Sequence, residues 1–207
     1  MNKNERDSIR KYNSIANRYD LSKEGRFTLR YRHKILDICD IKDGYRVLDV
    51  GCGNGSLIDA MTRKANIDAY GLDISPKMIE ESNTRYDNID FRVSSTENLP
   101  FSEDFFDIVI ICCVLHHLYN PDAFFTQAYR VLKPDGVLIV GEPWNPFPIK
   151  QLLDYVVSPL LRAGDNKTFT RKRLHKLFVE NGFEISKDSY EREYMQVIKG
   201  RKIILDR

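Results

Sequence analysis

The sequence predicts an α/β fold built on a doubly wound, mostly parallel sheet with helices on both faces. Three observations predict it. Strand-like and helix-like patterns alternate from Arg46 to Gly141, an order that right-handed crossovers convert into parallel strands. Several strand candidates are apolar on both faces, as in FDIVII at 106–111, which suits a sheet covered on both sides. Near the C-terminal end two further strand candidates lie close enough to pair as an antiparallel hairpin.

Taken in order, residues 4 to 40 read as two helices with a break near Ser22 to Gly25, the second carrying Phe27, Tyr31, Ile35 and Ile38 as one apolar stripe. Short, β-branched strand candidates follow at Arg46 to Val50, Asp68 to Asp73, Ile89 to Val93, Phe106 to Ile111 and Gly136 to Gly141. Between them, Leu57, Ile58, Met61 and Ala65 share a helix face, as do Met78, Ile79 and Tyr86. Phe124, Ala128, Val131 and Leu132 do the same, before Lys133-Pro134-Asp135-Gly136 closes that helix. Pro143 to Lys167 is irregular, with three prolines in PWNPFP and then the apolar piece IKQLLDYVVSPLL. A helix from Thr170 to Asn181 turns Leu174, Leu177 and Phe178 inward and stops at Asn181-Gly182. The hairpin follows, with strands near Phe183 to Lys187 and Glu193 to Lys199 and its turn near DSYER.

Composition narrows the function classes. A chain of 207 residues supports one sizeable core. With 42% apolar and 30% charged residues and a net charge of +2, nothing demands nucleic acid or an anionic membrane. RFTLRYRHK (26–34) and KTFTRKRLHK (167–176) are locally basic; each is either a solvated helix face or a rim attracting an acidic substrate. The four cysteines, Cys39, Cys52, Cys112 and Cys113, form no CxxC pair, as expected of reduced, mostly buried thiols. MNKNERDSIRKYN lacks the apolar core of a signal peptide, and runs such as IVIICCVL are far below the roughly 20 residues that span a bilayer. The expectation is a cytoplasmic protein without a transmembrane segment.

The chemistry concentrates in VLDVGCGNG, residues 47–55. In a doubly wound sheet a ligand sits beyond the carboxyl ends of the strands, and glycine lets main chain approach it without a Cβ in the way. A dinucleotide site would have GxGxxG, with pyrophosphate on the following helix N-terminus. Here the pattern is GxGxG with Ser56 in the last place, and Asp49 adds negative charge that repels a pyrophosphate and suits an ammonium group. Asp73, eighteen residues after Gly55, ends the next strand where an acid can accept from both ribose hydroxyls. A nucleoside without pyrophosphate and with a positively charged appendage satisfies all three, as S-adenosylmethionine (SAM) does. A nicotinamide-dependent oxidoreductase is weakened by the missing last glycine.

VLDVGCGNG, YGLDIS (70–75), STENLPF (95–101), FDIVIICCVLHHL (106–118) and YRVLKPDGVLIVGEP (129–143) occur in that order. With these five motifs the chain resembles the class I SAM-dependent methyltransferases, and most of all the small-molecule branch that includes ubiquinone and menaquinone C-methyltransferases. The resemblance implies a Rossmann-like, seven-stranded sheet with an antiparallel last strand. It implies that Gly51, Cys52 and Gly53 line the methionine part of SAM, with Asp49 near its ammonium, Asp73 on the ribose and Ile74 flanking the adenine. By the same carry-over Thr96 and Glu97 lie at the adenine edge, Cys112 faces the sulfonium region and Tyr19, in YNSIANRYD, helps close the site. Ser95 stands where relatives often have Asp, at the position accepting from the adenine amino group; a hydroxyl accepts there more weakly than a carboxylate. The expected organisation is a single domain over 1–207: an N-terminal helical cap (1–40), a SAM-binding core (41–142), an insert and acceptor-site cover (143–168), and a C-terminal helix with edge hairpin (169–207).

Methyl transfer from a sulfonium is an in-line displacement, so orientation carries much of the rate and a base is needed only for an acceptor that must lose a proton. His116 and His117 are the candidate bases. Neighbours on a helix point about 100° apart, so at most one faces the cleft, and similar enzymes favour His117; the alternative is a histidine that merely packs the turn. No metal is expected, since the pair does not converge and lacks further ligands at suitable spacing. Cys112-Cys113 reads better as packing at a strand end than as a redox pair. Nucleobase amino-methylases tend to carry an Asn/Asp-Pro-Pro-aromatic turn after the fourth strand, which Cys112-Cys113-Val114-Leu115-His116 lacks. The expectation is transfer to an O, N or C nucleophile of a small, partly lipophilic acceptor, with Trp144, Phe147, Leu152, Leu153, Tyr155 and Val156 either roofing its site or packing on the core. A non-catalytic SAM-binding or partner-regulating module is the competing reading.

Overall fold

The computed structural model describes residues 3–143, 169–191 and 195–204. The insert expected over 143–168 therefore lies, past Pro143, outside the described residues. The helices are α1 (Lys3–Ile15), α2 (Lys23–Ile38), α3 (Ser56–Thr62), α4 (Pro76–Arg85), α5 (Pro121–Val131) and α6 (Arg171–Glu180). The strands are β1 (Arg46–Val50), β2 (Asp68–Asp73), β3 (Asp90–Val93), β4 (Phe106–Cys112), β5 (Leu132–Pro143), β6 (Phe183–Glu191) and β7 (Met195–Lys202). They form a seven-stranded sheet in the order β3-β2-β1-β4-β5-β7-β6. The strands from β3 to β5 run parallel, and β7 is antiparallel to both β5 and β6. The order reverses between β1 and β4, which opens a crevice above their carboxyl ends.

The period-2 alternation of the central strands feeds two cores. Leu48, Val50, Val109 and Ile111 join Phe124, Phe125, Leu174 and Phe178 on the α5–α6 side. Val47, Ile108 and Ile110 join Tyr31, Ile35, Ile58 and Met61 on the other. Helix starts follow local capping chemistry: Ser22, Ser75, Asn120 and Thr170 each accept a backbone N–H from the first turn of the helix they precede. Among the described residues, no helix is long and apolar enough to cross a membrane.

Four local expectations are corrected. The N-terminal break falls at Ala16–Leu21, a 3-10 turn, and Ser22 caps α2. Gly25 lies inside α2 as a contact position, because a Cβ there would stand 2.1 Å from the Tyr19 carbonyl oxygen. Thr28 replaces Phe27 in the buried stripe with Tyr31, Ile35 and Ile38; Phe27 sits about 100° away on the helix and is 38% exposed. Strand β5 starts at Leu132, which pairs with Phe106 before a register shift carries Ile108 to Val137. Pairing in the hairpin runs on to Glu191 opposite Met195, so Asp188 to Glu191 belong to the strand and not to the turn expected near DSYER.

The basic face of α6 is partly neutralised, with Arg171 and His175 both on Asp188 at 2.7 and 2.6 Å and Lys176 beside Glu180. None of the four cysteines is in a disulfide, and Cys112 is the most exposed of them.

Candidate active site

The turn after β1 is fixed to β2 by two amides, Gly51 and Cys52, which both donate to the Leu72 carbonyl at 2.7 and 2.9 Å. Gly51 has φ +74°, and a Cβ there would meet Val114 Cγ2 at 2.3 Å; only glycine combines that dihedral with that approach. Gly53 also has positive φ, but a Cβ there would make only ordinary van der Waals contact with the Tyr19 ring, 3.7 Å away. Main chain is thus laid bare toward a cavity above the strand ends.

Each strand end contributes to its wall. From the β1 turn come Val50, Gly51 and Gly53, and from β2 come Leu72, Asp73 and Ile74. Ser94, Ser95 and Thr96 follow β3, and Cys112, Cys113, Val114 and His117 follow β4. Tyr19 closes one side, 7% exposed, with its hydroxyl 3.4 Å from that of Thr28 and its phenol pushed up to about 12 by burial. The structure therefore gathers Tyr19, Gly51, Gly53, Asp73, Ile74, Ser95, Thr96, Cys112 and His117 around one space. Asp49, Cys52 and Glu97 are not on its wall.

Two carboxylates set the electrostatics. Asp73 Oδ2 accepts from the Gly53 N–H at 2.9 Å and Oδ1 from the Ser75 N–H at 2.8 Å. Burial pushes its carboxyl up, and these amides pull it back toward the ionised form. Asp49, two residues before Gly51, is 2% exposed, and its Oδ1 has no hydrogen-bond partner among the described residues. Burial, against the attraction of Arg32 and with a smaller push from the Asp73 charge, raises Asp49 to about 7. An orphaned buried carboxylate oxygen is costly in a native protein unless a ligand or proton answers it. Two acids beside exposed main chain fit a ligand carrying hydroxyls and a cation. The residues present therefore accommodate an aminoacyl nucleoside such as SAM.

At the β4 end the two histidines part. His117 turns into the cavity, where the Tyr12 hydroxyl meets its Nε2 at 3.0 Å and the rings stand edge to face. His116 turns away, its Nδ1 2.8 Å from Glu142 Oε2 at the end of β5. Glu142 is fully buried and also accepts the Leu115 N–H at 2.7 Å. It thus pins the turn that presents His117, whose ring centroid is 4.1 Å from that of His116. Cys113 adopts φ +57° in this turn and donates its N–H to the Gly141 carbonyl at 2.7 Å. No cluster of three or more potential metal ligands occurs among the described residues.

Sequence reading missed Glu5, Ser8, Tyr12 and Glu142. Tyr12, Ser8 and Glu5 line the cavity from α1, and their i, i+3, i+7 spacing on one helix face was the available signal. It went unread because the stripe is polar. Glu142 carried no local signal.

The family model described as "Methyltransferase domain" matches residues 41–192. A demethylmenaquinone methyltransferase of Beutenbergia cavernae is 30% identical over 173 residues, covering 79% of this chain and 71% of that protein. The demethylmenaquinone methyltransferase of Paenarthrobacter aurescens is 30% identical over 139 residues, 65% of this chain and 54% of that one. The chain spans about half the length of several of the curated relatives it matches. Among solved structures, a SAM-dependent methyltransferase from Aquifex aeolicus has a TM-score of 0.70 at 17% identity, over 92% of this chain and 98% of that one. A Haloferax volcanii chain solved with the methyltransferase activator Trm112 reaches 0.75 at 15% identity, over 99% of both chains. At these identities the structures speak to the fold alone.

Proposed function

The chain belongs to the methyltransferase domain family, with S-adenosylmethionine as its cofactor, and from that premise we propose that it transfers the methyl group to a small-molecule acceptor. One observation carries the reading: Asp73 is fixed on the cavity wall between two backbone amides, while the buried Asp49 of β1 keeps an unpartnered carboxylate oxygen. Such a pair answers ribose hydroxyls and an α-ammonium. It opposes a pyrophosphate, which two carboxylates would repel.

SAM supplies an electrophilic methyl on a sulfonium that departs as a neutral thioether. The residues of the chain bind, orient and shelter it. Asp73 accepts from the ribose, and Asp49, buried just off the wall two residues before Gly51, attracts the ammonium. Gly51 and Gly53, with Cys52 behind them, offer main chain to the methionine portion. Ile74, Ser95 and Thr96 border the adenine, Cys112 the sulfonium region, and Tyr19 closes the site, while Glu97 stands off the wall. His117, held by Tyr12 at 3.0 Å, takes the proton from an acceptor that must lose one. Cys112, Cys113, Val114 and Leu118 make this end mostly apolar, which suits a partly lipophilic acceptor.

Two of the relatives are named demethylmenaquinone methyltransferases, so demethylmenaquinone leads the acceptors to screen with labelled SAM. Label moving into an O, N or C position of an added acceptor, with S-adenosylhomocysteine formed in step, supports the reading. Tight S-adenosylhomocysteine binding without turnover across quinol, phenol, amine and carbon-acid acceptors would favour the non-catalytic module.

A further inference from the structure

Helix α1 packs apolar surface only near its C-terminal end, where the partly buried Tyr12 and Ile15 meet Ala16, Tyr19 and Met78. Among its residues only Ser8 is buried, and the Ser8 hydroxyl, 6% exposed, has no hydrogen-bond partner among the described residues. Hydrophobic contact alone does not explain why such a helix lies across the mouth of a cavity, and an unsatisfied buried hydroxyl calls for a reason.

The helix is laid along the cavity from end to end. At its C-terminal part Tyr12 meets His117 of the β4 turn, and Asn13 Oδ1 accepts from the Ser75 hydroxyl at 2.7 Å. Seven residues earlier, about 10 Å along the axis, Glu5 reaches the loop after β3, where the Ser95 hydroxyl donates to its Oε1 at 3.4 Å. Glu5, Ser8 and Tyr12 all line the cavity, so the polar stripe of α1 runs from the acceptor end to the β3 end.

The β3 end is where the nucleobase lies, beyond the ribose acceptor Asp73. The exocyclic amino group of adenine is a donor and needs an acceptor there. Ser95 is already committed on two sides: its Oγ accepts the Glu97 N–H at 3.3 Å and donates to Glu5. The anionic acceptor beside it is Glu5.

We propose that α1 is the fourth wall of the SAM site, and that Glu5, oriented by Ser95, accepts from the adenine amino group while the Ser8 hydroxyl answers a second polar atom of the nucleoside. The carboxylate that Ser95 does not provide from the sheet is thus delivered by the N-terminal helix. Docking of α1, and with it the placing of Tyr12 on His117, is coupled to recognition of the base. This deepens the methyltransferase reading and rests on it.

The test compares binding of S-adenosylhomocysteine with its 6-deamino purine analogue by calorimetry, in the unaltered protein, Glu5→Ala and Glu5→Gln. The unaltered protein should prefer the amino form by about tenfold or more, as expected for a charge-assisted bond. Glu5→Ala should bring the two ligands within about threefold of each other, and Glu5→Gln, which keeps a neutral acceptor, should lie between. Thermal melts confirm folding, and Glu5→Gln carries the comparison should the alanine variant fail to fold. A preference unchanged in the folded variants overturns the role of Glu5 and leaves the methyltransferase reading standing. Failure of the unaltered protein to bind S-adenosylhomocysteine at all overturns both.

Discussion

Replacing Asp49 with Asn should stabilise the free protein at pH 8 while weakening its hold on the cofactor. Burial moves this carboxyl from 3.8 to about 7. The folded state therefore binds its proton more tightly than the unfolded chain does. Between about pH 4 and 7 the folded protein carries the extra proton, so stability falls as pH rises through that window and stays low above it. The full cost of ionising Asp49 in place is on the order of 4 kcal/mol at pH 8. Asn removes that cost but leaves two buried amide hydrogens to satisfy, which returns about 1–3 kcal/mol. The net gain is about 1–3 kcal/mol, or roughly 2–10 °C in melting temperature for a domain of this length. At pH 5 Asp49 is protonated in the fold, and the advantage should vanish. Binding runs the other way: without the carboxylate opposite the ammonium, affinity for S-adenosylhomocysteine should drop about tenfold or more. Melting curves at pH 5 and 8, with calorimetry at pH 8, read both effects. A variant that melts below the parent at pH 8, or that binds as tightly, would refute the assignment of Asp49.

Asp73→Ala should lower S-adenosylhomocysteine affinity by about a hundredfold, because it removes the proposed ribose acceptor and frees the Gly53 and Ser75 amides; calorimetry with unchanged affinity would exclude the ribose role. Gly51→Ala should cost about 2 kcal/mol or more in denaturant unfolding, from a left-handed φ of +74° and a Cβ 2.3 Å from Val114, and an unchanged unfolding midpoint would contradict that close approach. His117→Ala should cut transfer to a proton-losing acceptor by about a hundredfold or more while S-adenosylhomocysteine affinity changes by less; an equal loss in both would make His117 a packing residue.

What the sequence revealed and what it concealed divide along sequence distance. The strand–helix alternation and the turn at Gly51 and Gly53 were legible because periodicity and special dihedrals are local properties. Of the two histidines His117 alone lines the cavity, although their ring centroids stand 4.1 Å apart in a three-residue 3-10 turn. Phe27 was misplaced because an aromatic residue outweighs Thr28 in a hydrophobic count, although the angle on α2 favours Thr28. The roles of α1 were hidden because their partners are remote: Tyr12 meets His117 across 105 residues and Glu5 meets Ser95 across 90. Glu142 lies 26 residues from His116, and nothing near it in the chain marks it as more than the end of a strand.

A crevice above β1 and β4 that is built for an aminoacyl adenosine should reject a dinucleotide. Calorimetric titration of the full chain with S-adenosylhomocysteine and, separately, with NAD decides whether it does. One-to-one binding of S-adenosylhomocysteine is expected, with the negative heat-capacity change of a buried ligand, and no measurable heat from NAD. Binding of NAD with S-adenosylhomocysteine left unbound would contradict this assignment of the crevice.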